Sequence, residues 1–410
     1  MASQDSTNIA RSQQDNKLTI MLVAGEASGD FLGGQLMTAL QSLHDGEIFF
    51  SGVGGPAMTR QGLSSLFDFD QIALMGISQI IRNVPYNPKR IRIICDHALE
   101  TQPDVVVLID SSEFNQWVAE QLKNRKFLKP IVKFVSPQVW GSRPNRIFKI
   151  ASAYDHVLTL LPFEPEYYQK VSLPATYVGH PVTERIAETG GGPSFRKKHG
   201  IPEDATLVCV LPGSRRSEIK YMMPVFSQTI EVLTERIPSL VAVVPTLPSV
   251  HDRVASVVET WPVESLVVMD EREKFAAFDA STVALAASGT VSLELAIARV
   301  PMVIGYKIGW LSALVYRRLL LVRYITLANL ILGREVVPEF VQEKCQAQPI
   351  ADELERLLRD DDARRTQLAL LDTVVKELLV EGEKPSVRAA KTLLEIAGVE
   401  GFDRCVRRQS

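Results

Sequence analysis

The chain has no excess of positive charge: 45 lysines and arginines face 48 aspartates and glutamates, for a formal net charge of −3. That balance argues against a nucleic-acid binder, which needs a broad basic face, and leaves room only for local basic patches. Cysteine is scarce as well. Cys95, Cys209, Cys345 and Cys405 are far apart and form no CxxC pair, so neither a zinc site nor a disulfide framework is indicated, and a reducing cytoplasm fits. The first sixteen residues are polar and lack the apolar core of a signal peptide, so they read as a loose tail. No uninterrupted apolar run approaches the roughly 18 to 20 residues that span a bilayer, which confines any membrane contact to the periphery. The GxGxxG fingerprint is missing, and with it most support for a nicotinamide oxidoreductase. A single DxD, Asp68-Phe69-Asp70, lies in the first half. It stands away from the phosphate-binding signals described below, so no metal and no cofactor are expected.

What is present is alternation. At 410 residues, 46% of them hydrophobic, the chain exceeds the size at which one core keeps growing, and two domains are the default. In the first half KLTIMLVA, IFFSGV, PDVVVLID and PIVKFV read as buried strands separated by helix-length intervals, the pattern of a parallel sheet covered on both faces. The glycine-rich stretch Glu188 to Ser194 reads as a linker. After it TLVCVL, SLVAVVP, ESLVV, TVALAA and PMVIGY repeat the theme. The reading is α/β throughout, with two doubly wound parallel sheets.

Chemistry is expected where such strands end. In the second half the turn Ser288-Gly289-Thr290 opens a helix whose partial positive end favours a phosphate. Glu294, four residues on, shares the helix face of that turn and is placed to accept hydrogen bonds from ribose hydroxyls, unless it is simply an exposed helix residue. Arg215 and Arg216 follow the tight turn at Pro212-Gly213, where guanidinium groups suit phosphate oxygens; an ordinary solvated loop is the alternative. In the first half Glu26 and Asp30 follow a strand, and Asp110 is the first polar residue after Val105 to Ile109. Asp110 is either a helix N-cap or a functional acid or base. His180 reads as a structural hydrogen bonder sooner than a base. The stretch from Lys307 to Leu332 is amphipathic and basic, a core helix by periodicity or a segment lying on an anionic membrane.

An ordered series of motifs adds to this: VAGEASGD at Val23 to Asp30, GVGGPAM at Gly52 to Met58, ALMGISQII from Ala73, IDSSEFN from Ile109, VSPQVW, LPFEPEYY, VGHP, LPGSRRSEI, ASGTVSLELA, PMVIGY and LANLILGREVVPEFVQE. In this series, from about Lys17 to Glu343, the chain resembles the lipid-A-disaccharide synthase family. The resemblance implies the GT-B architecture of glycosyltransferases, two Rossmann-like domains facing a central cleft. The expected division is a tail at 1–16, an acceptor domain at 17–188, a UDP-sugar donor domain at 189–375 and a helical segment at 376–410.

The resemblance further implies an inverting hexosyltransferase of lipid A and lipopolysaccharide biosynthesis in a Gram-negative organism. It would transfer 2,3-diacylglucosamine from UDP to the 6-hydroxyl of 2,3-diacylglucosamine 1-phosphate, giving the β-1,6 disaccharide 1-phosphate and UDP. Asp110 is then the candidate base, with Glu26 second. Arg215, Ser288, Gly289, Thr290, Glu294 and Asn329 would bind the UDP-sugar, and Ser28, Gly29, Met75 and Ser136 would lie on the acceptor and lipid side. The enzyme would sit on the cytoplasmic face of the inner membrane, as a monomer or a homodimer. Where the family pattern has Pro and Asp, this chain has Ser112 and Glu113. Competing readings are an epimerase or transferase of another UDP-sugar, and a noncatalytic binder of nucleotide sugar or lipid.

Overall fold

A computed structural model describes residues 17–69, 88–142, 144–310, 313–314, 321–380 and 382–399. The chain divides into two units, residues 1–181 with 380–410 and residues 182–379.

The first unit is built on β1 (Lys17–Ala24), α1 (Ala27–Leu43), β2 (Glu47–Val53), α2 (Pro56–Arg60), β3 (Ser64–Ser65), α3 (Pro88–Thr101), β4 (Val105–Ile109), α4 (Ser112–Asn124), β5 (Ile131–Phe134), α5 (Arg146–Ala153), β6 (His156–Thr159), α6 (Pro165–Gln169) and β7 (Ala175–Tyr177). Its strands pair in parallel in the order β3-β2-β1-β4-β5-β6-β7. The β-branched run of β4 is buried at every position, as a central parallel strand with helices on both faces requires. Two apolar layers flank the sheet. One joins alternate residues of β4 to Phe114, Val118 and Leu122 of α4. The other joins Ile20, Leu22, Val105 and Val107 to Leu36, Leu40 and Leu43 of α1.

The second unit begins with a 3₁₀ segment, Pro181–Glu188, that spans the unit boundary, and continues through α7 (Gly192–His199), β8 (Thr206–Leu211), α8 (Arg216–Thr234), β9 (Leu240–Pro245), α9 (His251–Val258), β10 (Glu264–Val268), α10 (Glu271–Ala280), β11 (Val283–Ala287), α11 (Val291–Ile297), β12 (Met302–Tyr306), α12 (Leu327–Leu332), β13 (Glu339–Val341), α13 (Ala347–Arg359) and α14 (Asp361–Leu378). The sheet is again parallel, ordered β10-β9-β8-β11-β12-β13. The glycine stretch read as a linker lies inside this unit. Gly190 and Gly191 take positive φ of 105° and 91°, a region open to glycine without steric cost, and turn the chain into α7.

The chain returns to the first unit with α15 (Pro385–Ile396). Ala389, Ala390, Leu393 and Leu394 of this helix join the layer that holds α1, so the C-terminal helix completes the core of the domain that starts the chain.

In each sheet the strand order reverses at one place, between β1 and β4 in the first and between β8 and β11 in the second. Ligands of open α/β sheets bind outside the carboxyl ends of the strands at such a reversal. Glu26 and Asp110 follow β1 and β4; Arg215 and Ser288 follow β8 and β11.

Candidate functional site

Asp110 and Ser111 leave β4 with φ of 51° and 40°. Left-handed backbone costs a residue with a Cβ roughly 1 to 2 kcal/mol, so two in succession need restraint from outside. Asp110 N–H donates to the Phe134 carbonyl of β5 at 2.9 Å, and the Ser111 carbonyl accepts from Asn115 N–H at 3.0 Å. The fully buried Asn115 side chain donates to the carbonyls of Ile109 at 2.9 Å and Asp110 at 3.0 Å. Lys133 Nζ donates to the same Asp110 carbonyl. With its backbone held from several sides, the Asp110 carboxylate accepts a hydrogen bond from Ser28 Oγ at 2.8 Å. Gly29 backs onto this turn: a Cβ there would lie 3.5 Å from Asp110 Cβ.

Glu26 is exposed and occupies the N-cap position of α1 without a side-chain capping bond. Asp30, four residues on, is buried. Its carboxylate accepts the backbone N–H groups of Gly55 at 2.8 Å, Ala57 at 2.9 Å and Met58 at 3.0 Å, so it caps α2 and ties the first glycine-rich motif to the second. Asp30 is spent on structure, and Glu26 is the carboxylate left facing outward.

Sequence reasoning passed over Lys133. It sits inside β5, whose four residues are all buried, and is 1% exposed. Burial pulls its pKa down to about 8, against the opposing charges of Asp110 and Glu26, with Arg146 adding to the depression. Arg146 pairs with Glu113 at 2.9 Å.

Beyond β5, Val135 has φ of 75°, an unusual conformation for a β-branched residue. The loop that follows is anchored inward. Ser136 is buried and bonded to Tyr168 Oη at 2.7 Å. Trp140 Nε1 donates to Glu164 Oε1 at 3.1 Å, while Leu160 and Leu161 N–H donate to Oε2 at 3.1 and 3.0 Å. Burial pushes the Glu164 carboxyl up to about 7, against these hydrogen bonds. Expected on the acceptor side, Ser136 serves instead as an internal tether, since a buried hydroxyl must find its partner inside. Met75 and Asp70 lie outside the described residues. His180 is buried, and burial lowers its pKa to about 4, so it is neutral at physiological pH.

In the second unit Arg215 is the N-cap residue of α8 and its side chain is 74% exposed. Glu218 accepts the N–H groups of Ser214 and Arg215 at 2.8 and 3.1 Å and the Arg215 guanidinium at 2.9 Å. Gly213, with φ of 116°, has no room for a Cβ, which would come within 2.6 Å of Glu218. The guanidinium is therefore held through Nη1 while most of the side chain stays open to solvent. Gly289 and Thr290 are exposed as well, and a Cβ on Gly289 would meet nothing within 4 Å.

Glu294, in the first turn of α11, is engaged by two cations that sequence reasoning missed: Arg185 Nη1 at 3.0 Å and Lys274 Nζ at 2.9 Å. Arg185 also pairs with Glu188 at 2.8 Å and Glu271 at 3.1 Å and lies over the Phe275 ring.

Asn329 is fully buried. It donates to the Val337 carbonyl at 2.8 Å and Glu339 Oε1 at 2.7 Å, and accepts from Val336 and Val337 N–H at 2.7 and 2.8 Å. Those bonds use its full capacity. Glu339 accepts from Ile325 and Thr326 N–H at 3.0 and 2.8 Å, and the Ile325 carbonyl accepts from Ser288 Oγ at 2.9 Å. Expected beside the donor, Asn329 is tied to the Ser288 turn through this chain of bonds.

The first unit thus presents carboxylates suited to a hydroxyl, and the second a guanidinium, an open helix mouth and a carboxylate suited to a nucleotide. Known proteins resemble the chain over most of its length. Residues 20–394 match the family model described as lipid-A-disaccharide synthetase. The lipid-A-disaccharide synthase of Rhodospirillum centenum is 46% identical over 92% of this chain and 94% of its own. That of Nitrobacter winogradskyi is 42% identical over 92% and 95%. Among solved structures, the S. aureus MnaA–UDP co-structure covers 92% of this chain and 95% of its own with a TM-score of 0.59 at 13% identity. A glycosyltransferase from Rickettsia africae covers 96% and 100% with a TM-score of 0.57 at 12% identity. These two likenesses speak for the GT-B fold alone.

Proposed function

The chain belongs to the lipid-A-disaccharide synthase family, a family of glycosyltransferases acting in lipid A biosynthesis, and from that premise we propose that it transfers 2,3-diacylglucosamine from UDP to the 6-hydroxyl of 2,3-diacylglucosamine 1-phosphate with inversion. The observation that carries this reading is the Asp110 carboxylate, fixed on a doubly left-handed turn at the strand-order reversal of the first unit and bonded to Ser28.

Inversion takes one displacement. Asp110 removes the proton of the 6-hydroxyl as its oxygen attacks the anomeric carbon, the bond from that carbon to the diphosphate oxygen breaks, and UDP leaves with the electron pair. A base does this when it is held within hydrogen-bond reach of the proton, and the Ser28 hydroxyl marks a donor site on the carboxylate that an incoming sugar hydroxyl would share. Glu26 orients the acceptor. Negative charge builds on the departing diphosphate, where Arg215 and the Ser288 to Thr290 turn stabilise it, each such preorganised donor being worth about 3 kcal/mol. Glu294 accepts the ribose hydroxyls, held in place by Arg185 and Lys274.

Both substrates carry acyl chains in this reading, so the protein works at the cytoplasmic surface of the inner membrane. Trp310, Leu314 and Leu321 are 75%, 53% and 60% exposed, and Lys307 and Arg323 flank them, a composition suited to anionic lipid. No described helix is long and apolar enough to cross a membrane.

The test is to incubate the purified protein in detergent with UDP-2,3-diacylglucosamine, with and without 2,3-diacylglucosamine 1-phosphate, and to follow products by mass spectrometry and NMR. A β-1,6 tetraacyl disaccharide phosphate formed only with both substrates supports the reading. UDP release at full rate without acceptor overturns it in favour of donor hydrolysis or isomerisation.

A further inference from the structure

We propose that Lys133 is a positioning residue of the reaction: its buried ammonium holds the main-chain carbonyl of Asp110 and so fixes the left-handed turn that aims the carboxylate. This inference rests on the reading of Asp110 as the base.

An ammonium inside a parallel strand is costly. Removing an ion from water carries a penalty of several kcal/mol even after relaxation, and Lys133 lies between Val132 and Phe134, both buried. An aliphatic residue there would serve the core better. Among the described residues the Lys133 ammonium has one hydrogen-bond partner, the carbonyl oxygen of Asp110. Strand pairing sets Lys133 beside Leu108 and Phe134 beside Ile109, so the lysine stem runs along the sheet past Ile109 to the first residue beyond the strand. Asn115 Nδ2 reaches the same oxygen at 3.0 Å. Two donors occupy both lone pairs of that carbonyl, and rotating the Asp110–Ser111 peptide toward relaxed backbone would break both bonds. Strain of this kind persists only when its surroundings over-determine it, and Lys133 is one of the two side chains that do so.

The holder also carries a charge that can be lost. The groups acting on it are Asp110 at the end of β4, Glu26 before α1 and Arg146 on α5. Burial brings the ammonium down to about 8, so it is charged at neutral pH and becomes a neutral, weaker donor above that value. Turnover therefore falls on the alkaline side as the turn loosens.

The experiment compares wild type, Lys133→Met, Lys133→Arg and Asp110→Asn in kcat and in KM for both substrates, from about pH 6 to 10. Lys133→Met is expected to lower kcat about 100-fold, the scale of a misplaced reacting group, with little change in either KM. It should also abolish the alkaline fall near pH 8. Lys133→Arg, whose guanidinium stays charged, should recover most of kcat and move the fall to higher pH. A Lys133→Met enzyme with wild-type kcat, or one that keeps the alkaline fall in place, overturns the inference. If Lys133→Met does not fold, as judged by circular dichroism, Lys133→Arg decides, and an unmoved alkaline fall overturns it. Asp110→Asn separates the two readings. Full activity there removes the base and this inference with it, whereas an inactive Asp110→Asn beside an unaffected Lys133→Met sinks the inference alone.

Discussion

Ser28 Oγ donates to Asp110 Oδ2 at 2.8 Å, joining the helix after the first strand to the turn after the fourth. The contact is exposed, so its net contribution to stability is small, but it orients the one carboxylate, among the described residues, whose backbone is held in left-handed conformation. Ser28→Ala is expected to lower kcat about tenfold, in line with the loss of one hydrogen bond to a charged group, while the melting temperature stays within about 2 °C. Steady-state kinetics and calorimetry measure the pair. Unchanged kcat would mean that Ser28 does not orient the base.

Glu294 is held by Arg185 and Lys274, and the ribose assignment predicts discrimination between sugars. Wild type should bind UDP more tightly than 2′-deoxy-UDP, and Glu294→Ala should weaken UDP binding about 10- to 100-fold while erasing the difference. Isothermal titration with both nucleotides reads this directly. A preference that survives in Glu294→Ala places the ribose elsewhere.

Glu164 gives a pH signature to the first unit. Its folded pKa of about 7 lies above the ordinary 4.5, so its contribution to stability is fully present below about pH 4.5 and is lost as pH rises through 7, by roughly 3 kcal/mol in all. His180 has the opposite sense: depressed to about 4 from 6.5, it contributes stability above 6.5 that is lost as pH falls through 4. The two slopes oppose each other where they overlap, so the variant comparison isolates the carboxyl. Denaturant unfolding of wild type and Glu164→Gln should show the difference between them shifting against wild type from pH 5 to pH 8, by up to about 3 kcal/mol. A pH-independent difference would contradict the assignment.

Trp310 and Leu314 are expected to carry membrane contact. Flotation with anionic vesicles should capture wild type in a salt-sensitive way, and replacing both residues with Ser should weaken capture at least tenfold, since each buried apolar side chain contributes about 1.5 to 3 kcal/mol. Equal flotation of the two proteins would exclude this surface.

Much of the fold was legible because its strands are continuous apolar runs. The VVVLI of β4 can be little else than a strand covered on both faces, and the turns after such strands locate Asp110, Arg215 and Ser288. The partners of those residues were not legible. Arg185 meets Glu294 across 109 positions, and Lys133 stands as a single polar residue in an apolar strand. A charged residue in the middle of a fully buried strand was the signal available, because such a charge persists only with a partner. Asn329 and Ser136 failed in the opposite direction. Each lies in a motif beside the site, and each turns inward, because motif position does not say which way a side chain points. The C-terminal helix could be read as a helix from its period, but its return to α1 depends on tertiary packing that local pattern does not encode.

In the proposed reaction Asp110 takes the acceptor proton. The direct measurement is the turnover of Asp110→Asn with both substrates, alongside its affinity for UDP by titration. The expected result is that kcat falls about 1,000-fold, within the range of a general base, while the UDP Kd stays within about twofold because the residues proposed to bind the nucleotide lie in the other unit. Turnover near the wild-type rate would contradict it.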